Sequence, residues 1–244
     1  MKIKLLLLAG NTLRARAYSQ MLQRISSNEF EIKGLLYGFK TKDCFIPKIN
    51  FNTQYFVSKQ DLSIPIYEES IEITFNKNKW PYKYVDNVDV NSDEILKFIK
   101  NSDCDIVIFS GYGGQLLKQR HFISEKRYLH MHPGKLPIER GSTTIYYSIL
   151  NERKLTVTAF FMSERIDAGL DIIYSEYQVP SKGVDIDLYY DNIIRADCLV
   201  KALKAIKKKE FSSKQNLVSE EYYVIHPVLK HLALLSLKNN NKID

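Results

Sequence analysis

Residues 3–11, with the sequence IKLLLLAGN, are the stretch that decides the fold. A nearly continuous apolar run that ends at a Gly–Asn turn predicts a strand buried on both faces of a parallel sheet. Residues 13–25 follow with apolar side chains at helical spacing, and residues 31–37 form a second apolar run. A strand, a helix and a strand in this order predict one βαβ unit.

Beyond this unit, the chain alternates between apolar runs and amphipathic segments. Asn91 and Glu94 stand three residues apart, as in a capping box, and predict the start of a helix. Residues 41–90 are rich in proline, asparagine and aromatic side chains, so we predict a loop-rich segment with short strands at 72–75 and 82–85. The remaining predicted elements are strands at 105–109, 127–131, 155–162 and 171–179, and helices at 142–150 and 186–206.

The predicted fold class is α/β, with a Rossmann-like core, a mostly parallel sheet, helices on both faces and a short C-terminal helical appendage. A chain of 244 residues suits one such domain with a small addition. We place the core at residues 1–183 and the C-terminal helix and tail at residues 184–244. The polar residues from 238 onward predict a frayed end.

Composition narrows the class of protein. Hydrophobic residues make up 45% of the chain and charged residues 26%, which excludes a disordered chain, a collagen and a membrane bundle. Asn11 and Arg14 follow the N-terminal apolar run too soon for a signal peptide, and no run is long enough for a membrane helix. Three widely spaced cysteines form no zinc or disulfide pattern, so we expect a reduced, cytoplasmic protein. The net charge of +7 favours anionic partners.

Two segments carry side chains suited to chemistry. His130 and His132 lie two residues apart in LHMHPGKLP, residues 129–137, and on a strand this spacing directs both imidazoles to one face. The two prolines of this segment restrict the loop that follows the strand. Downstream, SERIDAG at residues 163–169 places Asp167 in a predicted turn between two strands.

Together these segments resemble the folate-dependent formyltransferase superfamily. That family typically shows Asn-x-His-Pro-x-x-Leu-Pro, then Arg-Gly or Lys-Gly, and further on an acid before a glycine. Upstream, SGYGGQLL at residues 110–117 resembles the family's folate-cleft loop. The pattern is matched in place by His132-Pro133, Leu136-Pro137, Arg140-Gly141 and Asp167-Ala168-Gly169.

One position departs from the family, because its asparagine falls at His130. In the family, that amide donates a hydrogen bond to the oxyanion that develops during the reaction. An imidazole N–H also donates, so we expect His130 to replace the amide and to make the step pH-dependent. Reduced or altered activity is the competing interpretation.

The resemblance implies an enzyme with a formyltransferase core that uses N10-formyltetrahydrofolate as donor and a primary amine as acceptor. It implies that His132 stabilises the oxyanion and moves protons, that Asp167 orients His132, and that His130 completes the oxyanion site. The family's folate cleft carries over to Gly111, Tyr112, Gln115, Leu116 and Leu117, and its second wall carries over to Ser163, Glu164, Arg165 and Ile166.

The acceptor is narrowed by two further expectations. We expect no large C-terminal domain of the kind that methionyl-tRNA formyltransferases carry, and residues 10–14, GNTLR, replace the glycine-rich phosphate loop of the purine enzyme. The remaining acceptor is an amino sugar that is used for surface polysaccharide. It is either linked to a nucleotide or is a precursor of a nonulosonic acid. Formylation of methionyl-tRNA stays open as an alternative.

We assign the substrate side to Arg14, Arg140 and Gly141, with a phosphate as the partner of Arg14. We expect the partner to be a small, phosphorylated amino sugar, and we expect neither a membrane nor a nucleic acid as partner. Whether the protein forms a homodimer is left open.

Two other classes remain open. His-x-His on a strand is also a metal-ligand pattern, so a metal-dependent hydrolase with Asp167 as third ligand is a more distant alternative, although we assign no metal site. Lys204 and the lysines at 207–209 would suit a basic binding module, but lysines at the C-terminal end of a helix also suit its dipole.

Overall fold

The computed structural model describes residues 1–25, 27–40, 44–211, 221–222 and 224–239. Within these residues the strands are β1 (Ile3–Gly10), β2 (Phe30–Tyr37), β3 (Tyr82–Val85), β4 (Ile106–Ser110), β5 (Arg127–His132), β6 (Arg140–Gly141), β7 (Leu155–Met162), β8 (Gly169–Tyr177) and β9 (Glu221–Tyr222). The helices are α1 (Leu13–Leu22), α2 (Phe51–Ser58), α3 (Ile71–Lys77), α4 (Asp93–Asn101), α5 (Thr144–Asn151), α6 (Asp191–Lys208) and α7 (Pro227–Leu235).

A seven-stranded sheet in the order β3-β2-β1-β4-β5-β7-β8 forms the centre of the fold. The pairs from β3 to β5 are parallel, whereas β7 runs antiparallel to both β5 and β8. The α/β class with a mostly parallel sheet is therefore confirmed. The parallel pairing of β1 with β2 across α1 confirms the βαβ unit predicted from residues 3–37.

Strand β1 is buried on both faces because successive side chains point to opposite sides of the sheet. Leu5 and Leu7 belong to a hydrophobic cluster that includes residues of α1 and α6. Leu6 and Leu8 belong to a second cluster, which includes residues of α4. Helices on both faces thus cover the apolar run that the sequence places at the centre of the sheet.

The segment 41–90 differs in part from the prediction. The strand expected at 72–75 is wrong, since those residues lie in α3. Ser70 caps this helix by accepting a hydrogen bond from the Ile73 amide at 3.3 Å. The strand expected at 82–85 is confirmed as β3, and residues 41–43 lie outside the described residues.

Several element boundaries also differ. The capping box predicted at Asn91 is wrong, because α4 begins at Asp93 after Ser92. Asn91 instead accepts a hydrogen bond from the Lys118 amide at 2.8 Å and donates to the Leu116 carbonyl at 3.0 Å. Helix α1 ends three residues before the predicted end at residue 25. The helix predicted at 186–206 is a π-helical turn, Ile186–Tyr190, followed by α6.

The C-terminal segment packs back onto the core. Strand β9 pairs in parallel with β6, and the Lys182 amide donates to the Lys238 carbonyl at 2.9 Å. The frayed end predicted from residue 238 falls mostly on residues 240–244, outside the described part of the chain. Helix α6 shares the cluster of Leu5 and Leu7, and the division at residue 183 stays a prediction. Among the helices described, none has the length and apolar character to cross a bilayer.

Candidate active site

A cavity of about 980 Å³ is lined by residues that follow the carboxyl ends of β4 and β5. Such an edge is where open α/β sheets bind ligands, because the loops there leave a crevice. Gly111 and Arg140 are not among the described residues that line the cavity. The predicted site residues that do line it are Arg14, Tyr112, Gln115, Leu116, Leu117, His130, His132, Gly141, Ser163, Glu164, Arg165, Ile166 and Asp167.

The two histidines reach the cavity from β5, as their spacing predicts. The antiparallel pairing with β7 sets their register, with His130 opposite Phe160 and His132 opposite Thr158. The His130 ring lies 5.9 Å from the Phe160 ring and 6.0 Å from the Phe109 ring, measured between centroids. His130 Nδ1 is buried and makes no hydrogen bond within the described residues, so this nitrogen is available to a ligand.

His132 is 2% exposed, and both of its nitrogens face oxygen atoms. Nε2 lies 2.5 Å from the Glu139 carbonyl, and Nδ1 lies 3.5 Å from Asp167 Oδ1. Because a carbonyl only accepts, Nε2 carries the proton of the neutral ring and donates it to Glu139. The lone pair of Nδ1 therefore faces the carboxylate of Asp167, which favours the uptake of a second proton on that side.

The loop after β5 holds His132 in this orientation. Thr158, buried on β7, donates to the Gly134 carbonyl at 2.6 Å and accepts from the Leu136 amide at 3.1 Å. A Cβ atom on Gly134 would lie 2.7 Å from His132 Nε2 and 2.8 Å from the Glu139 carbonyl oxygen. Glycine at 134 is thus required for the hydrogen bond that orients the imidazole.

Asp167 sits in the predicted turn between β7 and β8, with a φ of 46°. Its Oδ2 accepts a hydrogen bond from the Gly141 amide at 2.7 Å, and this contact leaves Oδ1 facing His132. At Gly169 φ is 150°, and a Cβ atom there would lie 1.9 Å from the Phe161 carbonyl oxygen. The acid-before-glycine pattern therefore has a steric cause, since only glycine fits where the turn enters β8.

Two predicted residues support the site without lining the cavity. Arg140 is 2% exposed and donates to the Ile166 carbonyl, so it ties β6 to the turn that carries Asp167. The Gly111 carbonyl accepts a hydrogen bond from Arg14 Nη2 at 2.6 Å. Arg14 lines the cavity, and its Nε is buried without a hydrogen-bond partner in the described residues.

The wall formed by residues 110–117 is held by tyrosine hydroxyls. Tyr112 accepts a hydrogen bond from the Asn11 amide at 3.0 Å. Gln115 accepts from the Tyr37 hydroxyl at 2.5 Å and donates to the Val88 carbonyl at 2.6 Å. These contacts connect the loop after β4 with the end of β2 and with the segments that follow β1 and β3.

Burial lowers the pKa of both histidines. For His132 the effect of burial is opposed chiefly by Asp167, whose carboxylate raises the pKa. For His130 burial is reinforced by the positive charges of Arg195 and Arg14, and the pKa lies well below 6.5. Both imidazoles are therefore neutral at neutral pH.

Sequence reasoning missed one wall of the cavity, which comes from α6 and the turn before it. Asp187, Asp191 and Arg195 line this wall. Arg195 Nε donates to Asp191 Oδ1 at 2.9 Å, and the Tyr146 hydroxyl donates to Asp187 Oδ1 at 2.7 Å. The signal was a spacing of four residues, which puts charged side chains on one face of a helix.

Among the described residues, no three His, Cys, Asp or Glu side chains lie close enough together to bind one metal ion.

Curated relatives match part of the chain. A methionyl-tRNA formyltransferase of Fusobacterium nucleatum is 27% identical over 124 residues, which are 50% of this chain and 40% of that protein. The GDP-perosamine N-formyltransferase of Brucella melitensis is 26% identical over 107 residues, which are 43% of this chain and 41% of that protein. Over these stretches the chain is similar in sequence to formyltransferases. It spans about two fifths of the length of these curated formyltransferases, and no protein-family model matches it.

Solved formyltransferase structures share the fold over more of the chain. A sugar N-formyltransferase of Shewanella sp. superposes with a TM-score of 0.57 at 14% identity, covering 98% of this chain and 89% of that one. A sugar 3N-formyltransferase, WlaRD, solved with dTDP and 5-N-formyl-THF, has a TM-score of 0.51 at 14% identity and covers 91% of this chain and 70% of that one. The formyltransferase resemblance predicted from the His-Pro-Leu-Pro segment is thereby confirmed.

Proposed function

We propose that the chain transfers a formyl group from N10-formyltetrahydrofolate to the primary amine of an amino sugar. The observation that carries this proposal is the His132–Asp167 pair, which lies in a cavity walled by residues 110–117 and 163–167. Cavities of about 300–1,000 Å³ are typical of sites for small molecules and cofactors.

The residues present fit a folate. Phe109, Tyr112 and Leu117 give the cavity an aromatic and apolar side, and Ser163 to Ile166 form a second wall. These residues would hold the pterin between them, as the resemblance implies. When bound, the folate supplies a formyl group on a nitrogen that leaves readily once it is protonated.

His132 and Asp167 suit the proton transfer that this reaction needs. The amine nitrogen bonds to the formyl carbon, the bond from that carbon to N10 breaks, and one proton passes from the amine to N10. At neutral pH the Nδ1 lone pair of His132 is unprotonated and faces Asp167. The pair therefore accepts the proton of the attacking amine and returns it to the leaving nitrogen.

His130 is suited to donate to the developing oxyanion. The Phe109 carbonyl only accepts, so it favours the proton of the neutral ring on the other nitrogen. Donation to the oxyanion therefore uses the tautomer with its proton on Nδ1, which has no competing partner in the described residues. A fixed donor at this position is worth a few kcal/mol in acyl transfer.

The choice of acceptor rests on the charged side of the cavity and on the relatives. Arg14 supplies a guanidinium for a phosphate, and WlaRD is a sugar formyltransferase solved with dTDP. A nucleotide-linked amino sugar for surface polysaccharide is therefore the acceptor that we propose, in the cytoplasm. Methionyl-tRNA is the second candidate, because the formyltransferase of Fusobacterium nucleatum is as similar as the perosamine enzyme.

The test is a panel of nucleotide-linked amino sugars, with methionyl-tRNA beside them, each incubated with N10-formyltetrahydrofolate. Mass spectrometry would detect the formylated product, and absorbance would follow tetrahydrofolate release. We expect one of the sugars to be formylated and His132→Asn to abolish the transfer while folate still binds. His231→Asn, at an exposed histidine of α7, is the matched control.

Formylation of methionyl-tRNA alone would replace the acceptor, and near-normal turnover by His132→Asn would reject the proton-transfer assignment. Transfer to no acceptor, with folate bound, would reject the proposed function.

A further inference from the structure

Arg195 connects α6 with the strand that carries both histidines. Its Nη1 donates to the Met131 carbonyl at 3.0 Å, and its Nε donates to Asp191 Oδ1 at 2.9 Å. Met131 lies between His130 and His132 on β5. One guanidinium therefore contacts the backbone between the two imidazoles and lines the same cavity.

The strand needs this contact because its pairing is incomplete there. The parallel ladder between β4 and β5 ends at the pair Ile108–Leu129, so the residues from His130 to His132 pair with β7 alone. A backbone carbonyl buried without a partner costs free energy. Met131 is buried, and Arg195 supplies the donor for its carbonyl.

Charged and titratable groups on three elements face His130. Arg195 on α6, Arg14 on α1 and His132 on β5 lower its pKa in addition to burial. The Phe109 carbonyl of β4 acts in the opposite direction and raises the pKa. Two guanidinium groups next to one imidazole disfavour its cationic form.

The charges that face His132 are more balanced. Burial lowers its pKa, Asp167 and the Glu139 carbonyl raise it, Arg195 lowers it, and Asp191 raises it. Arg195 and Asp191 thus act on His132 with opposite signs while they pair with each other. Removing either partner leaves the charge of the other without its counterion.

We propose that Arg195 is a positioning residue of this site, which fixes the backbone between the two histidines and places its positive charge beside the cavity that both imidazoles line. The contact of Arg195 with the backbone does not depend on the proposed function, whereas its benefit to catalysis rests on that function. Burial and the charge of Arg195 both disfavour the cationic form of His130, so its imidazole, like an amide, offers a donor without adding charge.

Two variants of Arg195 separate the backbone contact from the charge. Arg195→Lys keeps the charge but loses the fork that reaches two acceptors. Arg195→Gln removes the charge as well, and its shorter side chain ends near the position of Nε, so the comparison of the two variants isolates the charge. Asp191→Asn leaves Arg195 without its counterion. Lys201→Met removes one exposed positive charge from the same helix and is the matched control.

The measurement is the titration of the five histidines by NMR on the protein with labelled histidine, without an acceptor. We expect Arg195→Gln to raise the pKa of His130 and His132, Asp191→Asn to lower that of His132, and Arg195→Lys and Lys201→Met to leave both near their values in the parent protein. In the formyl-transfer assay, the acid limb of kcat/KM should move to higher pH in Arg195→Gln, whereas Arg195→Lys should lower kcat without that shift.

Unchanged titrations of His130 and His132 in folded Arg195→Gln would overturn the proposal. If that variant does not fold, Arg195→Lys decides, and an unchanged kcat in that variant contradicts the positioning role. Failure of the proposed function would look different, since the titrations would shift as expected while no acceptor is formylated.

Discussion

The imidazole of His132 lies between the Glu139 carbonyl and the Asp167 carboxylate. A neutral ring has one proton for these two acceptors, so the side that faces Asp167 is ready to receive another. Burial lowers the pKa of His132, and this keeps the site unprotonated at neutral pH. The acid limb of the pH–rate profile is therefore expected below 6.5, the ordinary value for histidine.

Asp167→Asn tests this arrangement at the level of one atom. The amide no longer raises the pKa of His132, so the acid limb should move to lower pH than in the parent protein. The rate should fall by about 10²–10⁴, the range for a lost general acid or base. A pH–kcat/KM profile measures both effects, and a small loss of rate would remove Asp167 from the proton transfer.

His130→Asn restores the residue that the related family carries at this position. Because the imidazole is buried and neutral, the amide replaces one uncharged donor with another. We expect kcat to stay within about tenfold of the parent value, since less than about 1.4 kcal/mol is then lost. Steady-state kinetics at neutral pH would show this, whereas an inactive variant would mean that the imidazole has a role of its own.

At the scale of elements, the loop from β5 to β6 decides where the His132 ring points. Thr158 holds the loop from β7, and the Gly141 amide at its end holds Asp167. These hydrogen bonds hold His132 and Asp167 in positions from which their side chains face each other. A change of one methyl group in this loop should therefore affect the reaction more than the stability of the fold.

Gly134→Ala is that change. The added Cβ would lie 2.7 Å from His132 Nε2, so we expect the imidazole to shift and kcat/KM to fall, with the far-ultraviolet circular dichroism unchanged. Gly113→Ala is the matched control for stability, because nothing lies within 4 Å of its Cβ. If Gly134→Ala keeps full activity, the loop moves without displacing His132.

At the scale of the molecule, the site depends on a sheet that is covered on both faces. Leu7 is 0% exposed on β1, and its neighbours in the same cluster include residues of α1 and α6. These two helices also carry Arg14 and Arg195, so the packing that stabilises the sheet sets the charged side of the cavity.

Leu7→Ala should lower the free energy of unfolding by about 2–5 kcal/mol, the cost of truncating a buried leucine. Leu235→Ala, at a leucine of α7 that is 57% exposed, should change it by less than about 0.5 kcal/mol. Urea denaturation followed by circular dichroism measures both. Equal effects would show that β1 is not at the centre of the core.

Local patterns predicted much of the fold but failed where two periods coincide. In residues 71–77, Ile71, Ile73 and Phe75 alternate as in a strand, yet Ile73 is 46% exposed. Ile71 and Phe75, four residues apart, are the buried pair, which is the helical spacing. Apolar residues at 71 and 75 fit both the two-residue repeat of a strand and the four-residue spacing of a helix. Only packing against the sheet therefore decides which of the two forms.

The sequence by itself determined the strands that are buried on both faces, the histidine pair on one face of β5 and the turn that carries Asp167, because each depends on neighbouring residues. Only the tertiary structure decided the contact of Arg195 with Met131, sixty-four residues away along the chain. It also decided that Arg140 supports the Asp167 turn instead of lining the cavity. The physical reason is that burial and electrostatic interactions act through space, so they are set only when α6 packs against the sheet.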